Sequence, residues 1–121
     1  MVKALNGIII LNRGDSGQFD VPLIDPNTKK PLSLTGSDSV YFGLMDPGQP
    51  FDYALLRKKY TVADVQNNAV CISFAPEDTL DLLPGKYWYA VKLRQRRVIE
   101  GKGTQEYVVT LVPNTKFIIS Q

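Results

Sequence analysis

Glu77, Asp78 and Asp81 fall within one short segment of the 121-residue chain, and carboxylates so close together could share the acid and base work of glycoside hydrolysis. They also follow Pro76, where a helix would begin, and acidic side chains at the positive end of a helix are the simpler account. The chain has no histidine, which removes the commonest general base and the commonest transition-metal ligand together. Its single cysteine, Cys71, therefore has no imidazole to activate it and reads as a small side chain inside a strand. Being single, it also excludes an intramolecular disulfide and suits a reducing compartment. Asp15, Asp20 and Asp25 could offer oxygens to a calcium ion, but their spacing is not that of an EF-hand loop, and aspartates are common in turns. Gly101-Lys102-Gly103-Thr104 lacks the spacing and following helix of a phosphate-binding loop, so it reads as a hairpin turn. These readings predict a protein that is not an enzyme and needs no cofactor or metal.

The basic residues gather as Arg57-Lys58-Lys59 and Arg94-Gln95-Arg96-Arg97, with Tyr53, Tyr60 and Trp88 not far off in sequence. Interleaved cations and aromatics can grip single-stranded nucleic acid through phosphates and stacking. A net charge of only +2 and the lack of a nucleic-acid-binding motif favour a solvated hairpin or a salt-sensitive protein contact instead. Tyr41, Tyr53 and Trp88 fall opposite the inferred core residues, and surface aromatics beside Arg94, Arg96 and Arg97 are typical of protein interfaces. Cover by a second sheet or by the termini is the competing account. The two chain ends are the other candidates, because Ile8, Ile9 and Ile10, and Phe117, Ile118 and Ile119, are β-rich runs with little charge. Such runs either pair within the domain or add strands to the sheet edge of a neighbour.

The elements that must hold these residues are strands. Period-two alternation recurs along the chain and gives each strand one buried and one wet face. Phe19, Val21 and Leu23 share a face against Asp20 and Pro22; Val40, Phe42 and Leu44 alternate with Tyr41, Gly43 and Met45. Val70, Ile72 and Phe74 alternate with Cys71, Ser73 and Ala75, and Tyr87, Tyr89, Val91 and Leu93 with Trp88, Ala90, Lys92 and Arg94. Tyr107, Val109 and Leu111 oppose Glu106, Val108 and Thr110. Turn signals separate the runs, among them 13–17, 25–31, 46–50, 66–68, Pro84-Gly85, 101–103 and Pro113-Asn114-Thr115. The only helical candidate is 76–82, one or two turns whose leucines would plug the end of the core. The apolar stretch at Gly7–Leu11 ends too soon for a signal peptide or a membrane span, so cytoplasmic synthesis and no membrane partner are expected. With 44% apolar and 21% charged residues, the expectation is one all-β domain over 1–121: an antiparallel β-sandwich of about seven to nine strands with one short helical turn.

Three segments carry a known pattern: Arg13-Gly14-Asp15-Ser16-Gly17-Gln18-Phe19-Asp20-Val21-Pro22-Leu23, then Leu32-Ser33-Leu34-Thr35-Gly36 leading into Val40-Tyr41-Phe42, and the crossing Phe74-Ala75-Pro76-Glu77-Asp78-Thr79 through Pro84-Gly85-Lys86-Tyr87-Trp88-Tyr89-Ala90-Val91-Lys92-Leu93. Together they resemble the immunoglobulin-like domains of bacteriophage tail, baseplate and head-fibre proteins, typified by the N-terminal domain of baseplate upper proteins. The resemblance implies an immunoglobulin-like fold and a virion structural role: a non-catalytic adaptor that oligomerises and docks on neighbouring tail, baseplate, connector or head-fibre proteins. A capsid-decorating or carbohydrate-binding module is the alternative. The cysteine pair and tryptophan arrangement of antibody domains are missing.

Overall fold

The computed structural model describes residues 3–5 and 7–121 and is built mainly of strands. In chain order they are β1 (Lys3–Leu5), β2 (Ile8–Asn12), β3 (Gly17–Pro22), β4 (Ser39–Met45), β5 (Leu56–Tyr60), β6 (Val65–Gln66), β7 (Ala69–Phe74), β8 (Gly85–Ile99) and β9 (Gly103–Ser120). Among the described residues the one α-helix, α1, is the short Pro76–Leu80, and two 3-10 turns cover Phe51–Tyr53 and Val62–Asp64. The strands form a six-stranded sheet in the order β1-β2-β9-β8-β4-β5 and a three-stranded sheet in the order β3-β7-β6. Neighbours are antiparallel except β2 and β9, which run parallel.

The alternation in the sequence decides what lies between the sheets. Val40, Phe42, Leu44, Tyr89, Val91, Leu93, Val21, Val70, Ile72 and Phe74 are all buried there, as one face of each strand must be when two sheets share a core. Its centre is aromatic: Phe19 and Phe74 from the smaller sheet meet Phe42, Tyr89 and Phe117 from the larger, with ring centroids 5.3–6.4 Å apart. Most of these pairs are edge-to-face, the arrangement favoured by the ring quadrupole.

The chain ends correct one expectation. β2 and β9 pair with each other inside the domain, in the register Ile9 with Phe117 and Leu11 with Ile119. Ile9, Phe117 and Ile119 are at most 1% exposed, so these three interface candidates are core residues and cannot meet a neighbour in the folded state. The unpaired edges that would have made the ends available are closed by one another. Residues 1, 2 and 6 lie outside the described residues.

Two further readings change. Pro113-Asn114-Thr115 is not a turn; β9 continues through it, and extra residues on β9 shift its register against β8 between Thr115 and Thr110. A proline without an N–H is tolerated in a strand at such a bulge. In α1 the plug is mainly a threonine. Thr79 is fully buried and accepts a 2.8 Å bond from the Gly14 N–H, whereas Leu80 and Leu83 are exposed and only Leu82 packs on the core. Arg13 fixes the same junction by donating through Nε and Nη2 to the Leu80 carbonyl, at 2.9 and 2.6 Å. Asp78 accepts from the Ala75 N–H at 2.8 Å and satisfies an orphan donor at the start of α1. Beyond α1, the buried Tyr87 donates its hydroxyl to the Leu83 carbonyl at 2.5 Å and pins the entry to β8.

Candidate functional site

Alternation along β5, β4 and β8 sends one set of side chains away from the core. Tyr41 stands opposite Lys59 and Lys92, Gly43 opposite Arg57 and Ala90, and Ser39 opposite Arg94. The outer face of the larger sheet thereby collects Arg57, Lys59, Lys92, Arg94 and Arg96 around the half-buried ring of Tyr41. The Arg94 guanidinium lies 5.2 Å from that ring's centroid and the Lys59 ammonium 5.9 Å. Such contacts stabilise by roughly 0.5–1 kcal/mol each at an exposed site and hold the cations in place. Glu106 brings one carboxylate to this face, 3.4 Å from Arg94 Nε.

One end of this face is built by the loop that follows β4. Phe51 folds back over Gly43, where an added Cβ would lie 2.8 Å from the ring; the sheet needs a glycine here for the ring to lie flat. Lys92 Nζ sits 5.1 Å from the Phe51 centroid, and Arg57 donates to the Asp52 carbonyl. Tyr41, Phe51, Asp52, Arg57, Lys59 and Arg94 line a groove of about 220 Å³. A second hollow of similar size, over Ser37, Ser39, Arg96 and Glu106, adjoins it across the shared Tyr41, Lys59 and Arg94. With its cations and aromatic floor, the combined surface can hold an anionic, extended or planar group through charge-assisted hydrogen bonds and stacking.

The two basic clusters in the sequence are each split by the strand period. Lys58 points inward and forms a 2.9 Å ion pair with Asp78, 5.8 Å from the Phe74 centroid, tying β5 to α1. Arg97 leaves the Arg94–Arg96 face and stacks 3.8 Å over Tyr107. Gln95 between them is buried and donates to the Ser33 carbonyl and to Asp38. Of the sequence candidates, Tyr41, Arg94 and Arg96 meet at the hollows. Tyr53 is 68% exposed on the 3-10 turn nearby, and Trp88 is half-buried further along β8 opposite Met45. Ile8, Ile10 and Ile118 lie half-buried on the outer side of β2 and β9, Ile10 paired with Ile118.

Asp38 was missed by the sequence reading. It is 2% exposed and accepts from the Thr35 N–H at 2.9 Å, the Arg96 N–H at 3.3 Å and the Gln95 side chain at 3.3 Å. Burial works against its ionisation, but the bonds from Thr35, Arg96 and Gln95 outweigh it and hold the carboxyl below its ordinary range. Asp38 thus sets where β8 leaves β4. The Thr35-x-x-Asp38 spacing, by which a carboxylate closes a turn on the N–H three residues before it, is the local signal that could have found it.

The other candidates have ordinary partners. Asp25 accepts from the Asn27 and Thr28 N–H groups of its own turn, and Asp20 stands beside Cys71 on the outer face of the smaller sheet. Among the described residues no three His, Cys, Asp or Glu side chains gather as a metal site requires. Burial, then the charge and hydrogen bond of Asp20, push the Cys71 thiol up from its usual value. No helix among the described residues is long and apolar enough to cross a membrane. No protein-family model, no curated protein and no solved structure matches this chain.

Proposed function

We infer that this chain is an immunoglobulin-like sandwich that works by binding proteins, as an oligomerising virion adaptor of the kind its sequence resembles. Two features support the fold. The order β2-β9-β8-β4-β5 facing β3-β7-β6 corresponds to the sheets of variable-type immunoglobulin domains. The Tyr87 hydroxyl bonded to the carbonyl four residues upstream, at the corner before β8, has the form of a tyrosine corner.

The observation that carries the binding role is the crowding of Arg57, Lys59, Lys92, Arg94 and Arg96 on one sheet face. Like charges this close repel in the isolated domain, and an acidic protein surface laid across them relieves that repulsion and steers association. The virion setting rests on the resemblance of 13–23, 32–42 and 74–93. The test has two parts. Particles released by cells carrying this gene, purified and labelled with antibody against the chain, should bear the label on tail, baseplate, connector or head-fibre; unlabelled particles overturn the virion role. Full-length protein carrying Arg57→Glu and Lys59→Glu should then fail to incorporate while still folding cooperatively and melting no lower than the wild type, and normal incorporation overturns the basic face as the docking surface. The exposed Tyr53 ring favours the second reading, stacking on a sugar, which a glycan array with Tyr53→Ala as control separates.

A further inference from the structure

β8 and β9 run on past the rest of the sheet as a two-stranded arm. β4 stops pairing at Arg94 and β2 joins β9 only from Phe117, whereas β8 and β9 stay paired to Ile99 and Gly103. The two edges of this arm differ. The β8 edge is partly closed, since Asp38 takes the Arg96 N–H. Along β9 the run 104–110 is regular, its bulges starting only beyond Thr110. Among the described residues its backbone bonds to β8 alone. Natural edges are blunted by lysine, proline or a bulge, and this run, Thr-Gln-Glu-Tyr-Val-Val-Thr, has none of them. Its one charge, Glu106, is already engaged by Arg94. Tyr107 and Val108 remain 41% and 49% exposed, and the Asp25–Asn27 turn borders 107–110 across a hollow of about 320 Å³ without bonding its backbone.

We propose that the β9 edge at 104–110 is a self-association surface, pairing antiparallel with the same run of a second copy about a two-fold axis at Tyr107. The occupant follows from the sequence of the edge. An antiparallel pair centred on Tyr107 sets Tyr107 against its own copy, Glu106 against Val108 and Thr104 against Thr110. No like charges oppose, and the whole run of about 20 Å is used, at about 3.3 Å per residue. Centring on Glu106 would instead oppose two carboxylates. The two Tyr107 rings, each covered by Arg97 of its own chain, then meet as an aromatic pair at the axis. Such a contact is isologous and closes as a dimer. It deepens the adaptor reading by naming where copies join, and of the residues around Tyr41 it shares only Glu106, leaving Arg57 and Lys59 outside the contact.

The test is the oligomeric state of the full chain by analytical ultracentrifugation from micromolar to millimolar concentration, at low and high salt. A dimer that persists in high salt is expected, because backbone bonds and apolar contact are little screened. Tyr107→Glu keeps an attraction to Arg97 but opposes two carboxylates at the axis, and it should weaken the dimer roughly tenfold or more while leaving the melting temperature unchanged at concentrations where the wild type is monomeric. In a Cys71→Ser background, Tyr107→Cys should give a covalent dimer with a short bismaleimide and Thr104→Cys should not. A wild type that stays monomeric overturns the proposal and leaves the edge to an extended segment of another protein. A dimer untouched by Tyr107→Glu, or the opposite cross-linking pattern, also overturns it. The Arg57→Glu, Lys59→Glu protein should still dimerise, so failure of the docking face and failure of this edge are read separately.

Discussion

At the scale of single residues, Asp38 shows how one carboxylate ties its own turn at Thr35 to β8. Asp38→Ala leaves the Thr35 and Arg96 N–H groups without their acceptor and the Gln95 amide with the Ser33 carbonyl alone, at a cost of about 1–3 kcal/mol in urea melts at neutral pH. Because its folded pKa is depressed, the carboxylate's contribution is fully present above the unfolded value of about 3.9 and is lost as pH falls through the folded value. The gap in stability between wild type and Asp38→Ala should therefore narrow on acidification, and a gap that widens contradicts this account. Cys71 titrates the other way, its thiol raised by burial and then by Asp20. Alkylation at neutral pH should be slow in the folded protein, and Asp20→Asn should speed it and move the pH–rate profile down.

Among the elements, the parallel pairing of β2 with the end of β9 matters most, since it turns two apolar termini into core strands. Phe117→Ala should cost about 3–5 kcal/mol, because its ring fills the space between Phe42, Phe74 and Tyr89. Ile118→Ala, one residue on and facing outward, should cost only a small fraction of that. Equal losses in denaturant titrations would mean that the strand is turned over. Removing 116–121 takes Phe117 and Ile119 together and should leave no cooperative melting transition, rather than a folded domain with a free edge. In the loop after β4, Gly43→Ala should push the Phe51 ring off the sheet, seen as a shift of its aromatic NMR signals with little change in melting temperature.

For the whole molecule, the basic outer face of the larger sheet predicts a direction that composition alone hides. A net charge of +2 suggests little electrostatic strain, yet Arg57, Lys59, Lys92, Arg94 and Arg96 share one surface. Screening should relieve their repulsion, so the melting temperature should rise as sodium chloride is added at low ionic strength. A fall would mean that attractive pairs such as Lys58–Asp78 dominate the field instead.

Alternation along the chain was enough to find β3, β4, β7, β8 and the first half of β9 with most of their inward faces, but not β5 or β6, nor the burial of Met45 and Ala90 on the opposite face. Phe42, Leu44, Val70, Ile72, Tyr89, Val91 and Leu93 lie in the core because a period of two leaves one buried face wherever a sheet covers another. The sequence also placed the hairpin turns at 66–68 and 101–103, where Asn67, Asn68, Gly101 and Gly103 take the positive φ that turn chemistry asks of them. Pairing partners were decided only in three dimensions. Whether Ile9 and Phe117 await a neighbour or find each other depends on contacts more than a hundred residues apart, and nothing local distinguishes the outcomes. The same holds for the cations. Arg57-Lys58-Lys59 and Arg94-Gln95-Arg96-Arg97 read as two clusters along the chain, but the strand period sends Lys58 and Arg97 away, and the β4–β5 and β4–β8 registers bring the rest to Tyr41. Sheet register is set by how two strands pack against each other, so a surface assembled across three strands is a property of the tertiary structure.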